Sequence, residues 1–128
     1  MIRKIRDMRK PTIYVAGPMR GYKDYNYPAF DERSELLREQ GWNVINPADM
    51  DRADEKPNIS GPMEFDPEAN YEDHEFMRQA LKRDMVALCD DCTAIYMLNG
   101  WEKSKGANAE KALAVALGLD VYYEDDKE

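Results

Sequence analysis

The residues with the clearest chemical potential lie between Gly100 and Gly118 and centre on one carboxylate, Glu110. An apolar run from Ala94 to Leu98 reads as a buried strand. Ala112, Leu113, Val115, Ala116 and Leu117 read as a helix, with Gly118 as its stop. Between them lies a polar turn, Glu102-Lys103-Ser104-Lys105-Gly106. A strand that passes through a Ser/Gly turn into a helix aims several backbone N–H groups at one spot, which is an anion site. Glu110 reads as an acid in the first turn of that helix, where the positive end of the macrodipole favours the ionised form. An ionised carboxylate beside an anion pocket could act as a nucleophile. It could equally do no more than complement the helix dipole, as acids in first turns commonly do.

A second group of residues lies near the start of the chain. Thr12 to Ala16 is β-rich and runs into Gly17-Pro18-Met19-Arg20-Gly21. This is neither G-x-G-x-x-G nor a Walker A loop. A glycine after a parallel strand still lets a ligand approach the backbone, and Arg20 could pair with a phosphate or carboxylate in two-pronged fashion, or be a solvated loop charge. A third candidate is Asp84. Met77, Leu81 and Leu88 form one helical stripe, and Asp84 falls on it. An acid there needs partners, or reaches water at the stripe's edge.

These residues need a scaffold that joins them. Strands are predicted near residues 12–16, 42–45, 93–98 and 119–123, with helices over 28–40, 70–89 and the stretch ending at 117. The alternation predicts a three-layer, doubly wound α/β domain of the flavodoxin or Rossmann-like kind. Its parallel sheet has four to five strands in the order 2-1-3-4. Ligands of such folds bind beyond the carboxyl ends of the strands, at the switch point between the first and third strands. The loops at 17–21 and 100–106 meet there, with Tyr14 and Asp84 near by. Residues 1–10 read as a basic segment, 11–123 as the domain, and 124–128 as an acidic, disordered tail. Residues 48–69, rich in Pro, Gly and acids, are too long for a plain connection; they read as a lid, a subunit contact or a mobile loop.

A chain of 128 residues, 43% hydrophobic and 34% charged, is long enough for one core. The formal charge of −8 argues against nonspecific binding to nucleic acid polymers. No apolar run approaches membrane-spanning length, and the basic N-terminus has no apolar segment after it, so a cytoplasmic protein without membrane contact is expected. Cys89-Asp-Asp-Cys92 reads as two reduced structural cysteines, since flanking aspartates oppose thiolate formation. One histidine and scattered acids make no metal site of recognisable spacing, and no cofactor is expected.

With both loops in view, the chain resembles the nucleoside 2-deoxyribosyltransferase superfamily. It is most similar to small phage and bacterial proteins in which I-Y-V-A-G-P-M-R-G (Ile13 to Gly21) is followed by M-L-N-G-W-E-K-S-K-G-A (Met97 to Ala107) and a helix carrying Glu. The resemblance covers residues 11 to 123. It implies that Glu110 attacks the anomeric carbon of a 2′-deoxynucleoside or its 5′-monophosphate. It also implies that Tyr14 holds that carboxylate and that Asp84 contacts the sugar and assists the leaving base. Gly17, Arg20, Gly21, Ser104 and Gly106 would bind the substrate and its phosphate, with Trp101 and Asn108 shaping the pocket. Two departures stand out: Pro18 replaces a phosphate-binding Ser, and Asn108 replaces a Gly.

The implied reaction is retaining glycosyl transfer through a deoxyribosyl-enzyme ester, resolved by water or a second base. The rival expectation is a module that binds or sequesters a nucleotide without turning it over. A homodimer or multiple of dimers is expected, because a four-strand sheet leaves the crevice open on one side and related transferases complete their sites across subunits.

Overall fold

The computed structural model describes residues 10–54 and 71–125. At its centre is β1, Thr12–Ala16, five consecutive buried residues. A β-rich apolar run with no polar alternation is what a strand covered on both faces requires. The strands β2 (Asn43–Ile45), β3 (Ala94–Met97) and β4 (Asp120–Tyr123) complete the sheet. Its order is β2-β1-β3-β4, and every pairing is parallel. The α/β class, the layering and the strand order expected from the sequence are those observed.

The helices are α1 (Tyr27–Glu39), α2 (Pro47–Asp54), α3 (Tyr71–Asp91) and α4 (Lys105–Leu117). Alternate residues of β1 divide the core between two layers. Ile13 and Val15 pack with Phe30 and Leu37 of α1, together with Ala94, Tyr96 and Leu98. Tyr14 and Ala16 pack with Leu88 of α3 and Ala107 and Ala114 of α4, together with Ile95 and Met97. Each large apolar side chain removed from water in this way contributes roughly 1.5–3 kcal/mol. Tyr14 is thus a core residue along its ring and a site residue at its hydroxyl.

Two local structures depart from the sequence reading. First, the segment after β2, read as a lid, a subunit contact or a mobile loop, begins with a helix, α2. Asn46 explains it: its Oδ1 accepts the Ala48 N–H at 3.0 Å, and its carbonyl accepts the Asp49 and Met50 N–H groups. With Pro47 at the first helical position, this is a capped start. The rest of the 48–69 segment, including the proposed lid residues, lies outside the described residues. Second, Asp24, Tyr25 and Asn26 all have left-handed backbones, with φ of 55°, 53° and 59°. Such residues cost of order 1–3 kcal/mol each and persist where surroundings fix them. Here Asn26 Nδ2 donates to the Pro18 carbonyl at 2.9 Å, tying the turn to the loop after β1.

Of the predicted terminal segments, 1–9 and 126–128 lie outside the described residues. Glu124, read as the start of a loose tail, is held by the fold. Its N–H donates to the Met97 carbonyl at 2.9 Å, and its Oε1 accepts the Asn99 N–H at 2.8 Å. Among the described residues, no helix is long and apolar enough to cross a membrane.

Candidate active site

The loops after β1 and β3 meet because glycine allows it. A Cβ on Gly17 would lie 2.8 Å from Leu98 Cβ, well inside contact distance. A Cβ on Gly100, whose φ is 91°, would lie 2.9 Å from the Tyr22 hydroxyl. Beyond Gly100 the chain makes a 3-10 turn, Trp101–Lys103, and Ser104 then caps α4 by accepting the Ala107 N–H at 3.1 Å. Asn108 Nδ2 donates to the carbonyls of Trp101, Glu102 and Ser104 at 3.3, 3.0 and 2.9 Å. The loop that opens the site is therefore bound to its own helix.

Because the cap is Ser104, α4 begins at Lys105 and Glu110 lies in its second turn. The sequence reading placed Glu110 in the first turn and ascribed its ionisation to the helix dipole. That is corrected here, since the dipole's influence falls off within the first turn. Glu110 is 7% exposed, and burial raises its pKa well above the ordinary glutamate range, with the neighbouring Asp84 adding to the rise. Tyr14 works in the other direction: its hydroxyl donates to Glu110 Oε2 at 2.7 Å. The Tyr14 phenol is itself pushed up, by burial first and then by Glu110 and Asp84, so it stays a proton-bearing donor.

Asp84 enters from α3 and lies close enough to Tyr14 and Glu110 to shift the protonation of both. Burial raises its pKa, opposed by Arg83. The guanidinium of Arg83 donates to Asp84 Oδ1 through Nε at 3.0 Å and Nη2 at 2.8 Å, and Nη2 also reaches Asp51 Oδ1 of α2 at 2.8 Å. Asp51 is buried, and its Oδ2 accepts the Tyr27 hydroxyl of α1 at 2.9 Å. Burial alone would lower the pKa of Arg83, but Asp84 and Asp51 reverse this and hold it charged. Burial raises both carboxyls, and neighbouring buried carboxyls beside one guanidinium titrate as a pair, which favours a proton on one of them.

A cavity of about 660 Å³ opens above this cluster, within the range of small-molecule sites. Tyr14, Gly17, Arg20, Asp84, Ser104, Gly106 and Glu110 all line it. Gly21, Trp101 and Asn108 are not part of its lining. Gly21 forms a left-handed turn with φ of 85°. Trp101 packs on Tyr123 at 5.9 Å, with Lys111 Nζ 4.7 Å from its ring centroid. Asn108 binds the backbone carbonyls already described.

In and behind the cavity wall are residues that sequence reasoning missed. Arg83, which supports Asp84 from outside the lining, had a visible signal, standing beside Asp84 in the chain, yet neighbours on a helix do not normally face one another. Asp51 lay in the segment read as a lid, a subunit contact or a mobile loop, where no periodicity marked it. Tyr25 and Phe30 supply apolar wall. Tyr25 is buried at the centre of the left-handed turn; Asp24 and Asn26 tolerate that backbone, but a tyrosine rarely adopts it.

Among the described residues, no three His, Cys, Asp or Glu are grouped to hold a metal ion. Cys89 and Cys92 are unbonded; the Cys92 thiol is pushed up to about 12 by burial and by Asp91.

No curated protein matches the chain. A family model does: its description is a domain of unknown function, DUF4406, it covers residues 11–123, and the chain belongs to that family.

Proposed function

We propose that the chain cleaves the N-glycosidic bond of 2′-deoxynucleosides or their 5′-monophosphates through a covalent deoxyribosyl ester on Glu110. The observation that carries this reading is the 2.7 Å hydrogen bond from Tyr14 to Glu110, with Asp84 beside it, at the floor of a ligand-sized cavity. The similarity to the deoxyribosyltransferase superfamily in the two loop motifs supports it, and these loops carry Arg20, Ser104 and Gly106.

In the forward half-reaction, a Glu110 carboxylate oxygen bonds to C1′. The C1′–N bond breaks, and its electron pair leaves with the base, which takes a proton from Asp84. Positive charge developing on the sugar favours ionised Glu110, and Tyr14 stabilises that form. The proton held by the carboxyl pair thus passes to Asp84 and on to the base. In the second half-reaction, water attacks C1′, the ester C–O bond breaks, and Asp84 recovers the water's proton. A second base in place of water makes the enzyme a transferase. Arg20, Ser104 and the N–H groups at the start of α4 suit a 5′-phosphate.

The same cavity would serve a module that only binds a nucleotide. Incubation with each deoxynucleoside and its 5′-monophosphate, followed by chromatography, distinguishes the two. Free base that disappears in Glu110→Ala supports the enzyme. Saturable binding without free base supports the module and overturns the enzyme.

The proposal includes a homodimer, in which α3 and α4 offer Val86, Val115 and Leu117, each 44–58% exposed, to a second copy. Light scattering at micromolar concentration tests it; a monomer mass with nucleotide present would exclude it.

A further inference from the structure

Two charged residues, Arg83 and Asp51, have no part in the proposed reaction: Asp51 lines the cavity, and Arg83 bonds to Asp51 and Asp84 from outside its lining. They are nevertheless built into the fold. Asp51 is 4% exposed, and both its oxygens are engaged, one by Arg83 and one by Tyr27. A guanidinium held on one side by a buried carboxylate cannot swing away from the other, so Arg83 meets Asp84 in one fixed orientation. Four helices contribute to the chain of contacts: Tyr27 from α1, Asp51 from α2, Arg83 and Asp84 from α3, and Glu110 from α4.

We propose that Arg83 and Asp51 are a positioning pair that orients the Asp84 carboxylate toward Tyr14 and Glu110 and sets how tightly the Asp84–Glu110 pair holds its proton. Arg83 favours the ionised form of its neighbour. Asp51 shares the same guanidinium and so weakens that effect. The two act in opposite directions on one site. The consequence for chemistry is acid strength: an Asp84 whose carboxylate is supported by Arg83 surrenders its proton to a departing base more readily. This rests on the reading of Glu110 as nucleophile and Asp84 as acid.

Other charged groups face the pair among the described residues. Tyr14 reaches it from β1, and Glu110 is supplied by α4. Arg78 of α3 and the loop cations Arg20, Lys103 and Lys105 line the same cavity. All of these are unchanged in the variants below.

The test is a ¹³C-NMR titration of the side-chain carboxyls in the full chain without ligand, so it does not depend on turnover. In Arg83→Gln, a positive charge next to the pair is lost, and the pair's midpoints rise by about one unit or more. In Asp51→Asn, a negative charge is lost while an acceptor for Arg83 and Tyr27 remains, and the midpoints fall. In Arg83→Lys they stay near wild type. Where the wild type releases base, the limbs of its kcat/KM profile against pH move with the same signs; a merely structural role would lower the rate without moving them. Midpoints that do not move in Arg83→Gln, or that move the same way in both charge variants, overturn the proposal. If Arg83→Gln does not fold, unmoved midpoints in Asp51→Asn overturn it alone. Responsive midpoints without base release would sink the glycosidase reading and leave this pair standing. Base release with unresponsive midpoints would do the reverse.

Discussion

Tyr14, Asp84 and Glu110 are buried and held by one another and by Arg83, whereas Arg20, Lys103 and Lys105 stand exposed on the two loops of the same cavity. The carboxyl cluster is preorganised: its geometry exists before any ligand arrives, at a cost in burial that core packing offsets. The loop cations are exposed, and exposed charges contribute little until a ligand displaces the water around them. The contrast assigns rate to the buried cluster and affinity for an anion to the loops.

The largest expected effect comes from breaking the buried side. Glu110→Gln lowers base release by roughly three orders of magnitude or more, because covalent catalysis is lost. The same change stabilises the fold. A carboxyl whose folded pKa is raised contributes stability below its ordinary range and loses it as pH rises through the folded value. Glu110→Gln removes that loss, so its melting temperature exceeds wild type by a few degrees at about pH 8 and by nothing at about pH 4. Calorimetry at the two pH values checks it; a lower melting temperature at the higher pH would contradict the burial account.

Tyr14→Phe is the next largest. The ring keeps its place between Ile45 and Ile95 in the sheet, while Glu110 loses its donor. A fall of about 10²-fold in kcat with an intact fold is expected. An unchanged kcat would show that the hydroxyl is only a core satisfaction.

Arg20→Ala sharpens the contrast from the exposed side. About tenfold weaker binding of a 5′-monophosphate is expected, with binding of the bare nucleoside and kcat little changed. Calorimetry with both ligands decides it, and equal losses for the two would remove the phosphate assignment. The smallest effect belongs to Ser104→Ala, which removes the α4 cap and costs about 1 kcal/mol of stability. A thermal melt reads it as a drop of a few degrees, and an unchanged melt would mean that the 3.1 Å bond to Ala107 carries no weight.

Much of this architecture was legible in the residues. The β-rich run of β1 and the apolar run of β3 announced strands, and the parallel alternation predicted that the loops at 17–21 and 100–106 meet. Those signals are local, and the parallel topology then brought Tyr14, Asp84 and Glu110 together. What could not be read had non-local causes. The register of α4 depended on which residue caps it, and Ser104 rather than a later residue does so. The importance of Asp51 and Arg83 depended on α2, a helix nucleated by Asn46 inside a stretch full of breakers. Asn108 and Trp101 were assigned to the ligand by their place in the motif, but their side chains are engaged by the loop backbone and by Tyr123 and Lys111.

The most direct test of the central claim is a search for the ester itself. The protein is mixed with a deoxynucleoside 5′-monophosphate, quenched in acid, digested and analysed by mass spectrometry. The account predicts one deoxyribosyl unit, with its phosphate, on the peptide that contains Glu110, absent in Glu110→Gln. Base release with no adduct at Glu110, or undiminished release by Glu110→Gln, would contradict it.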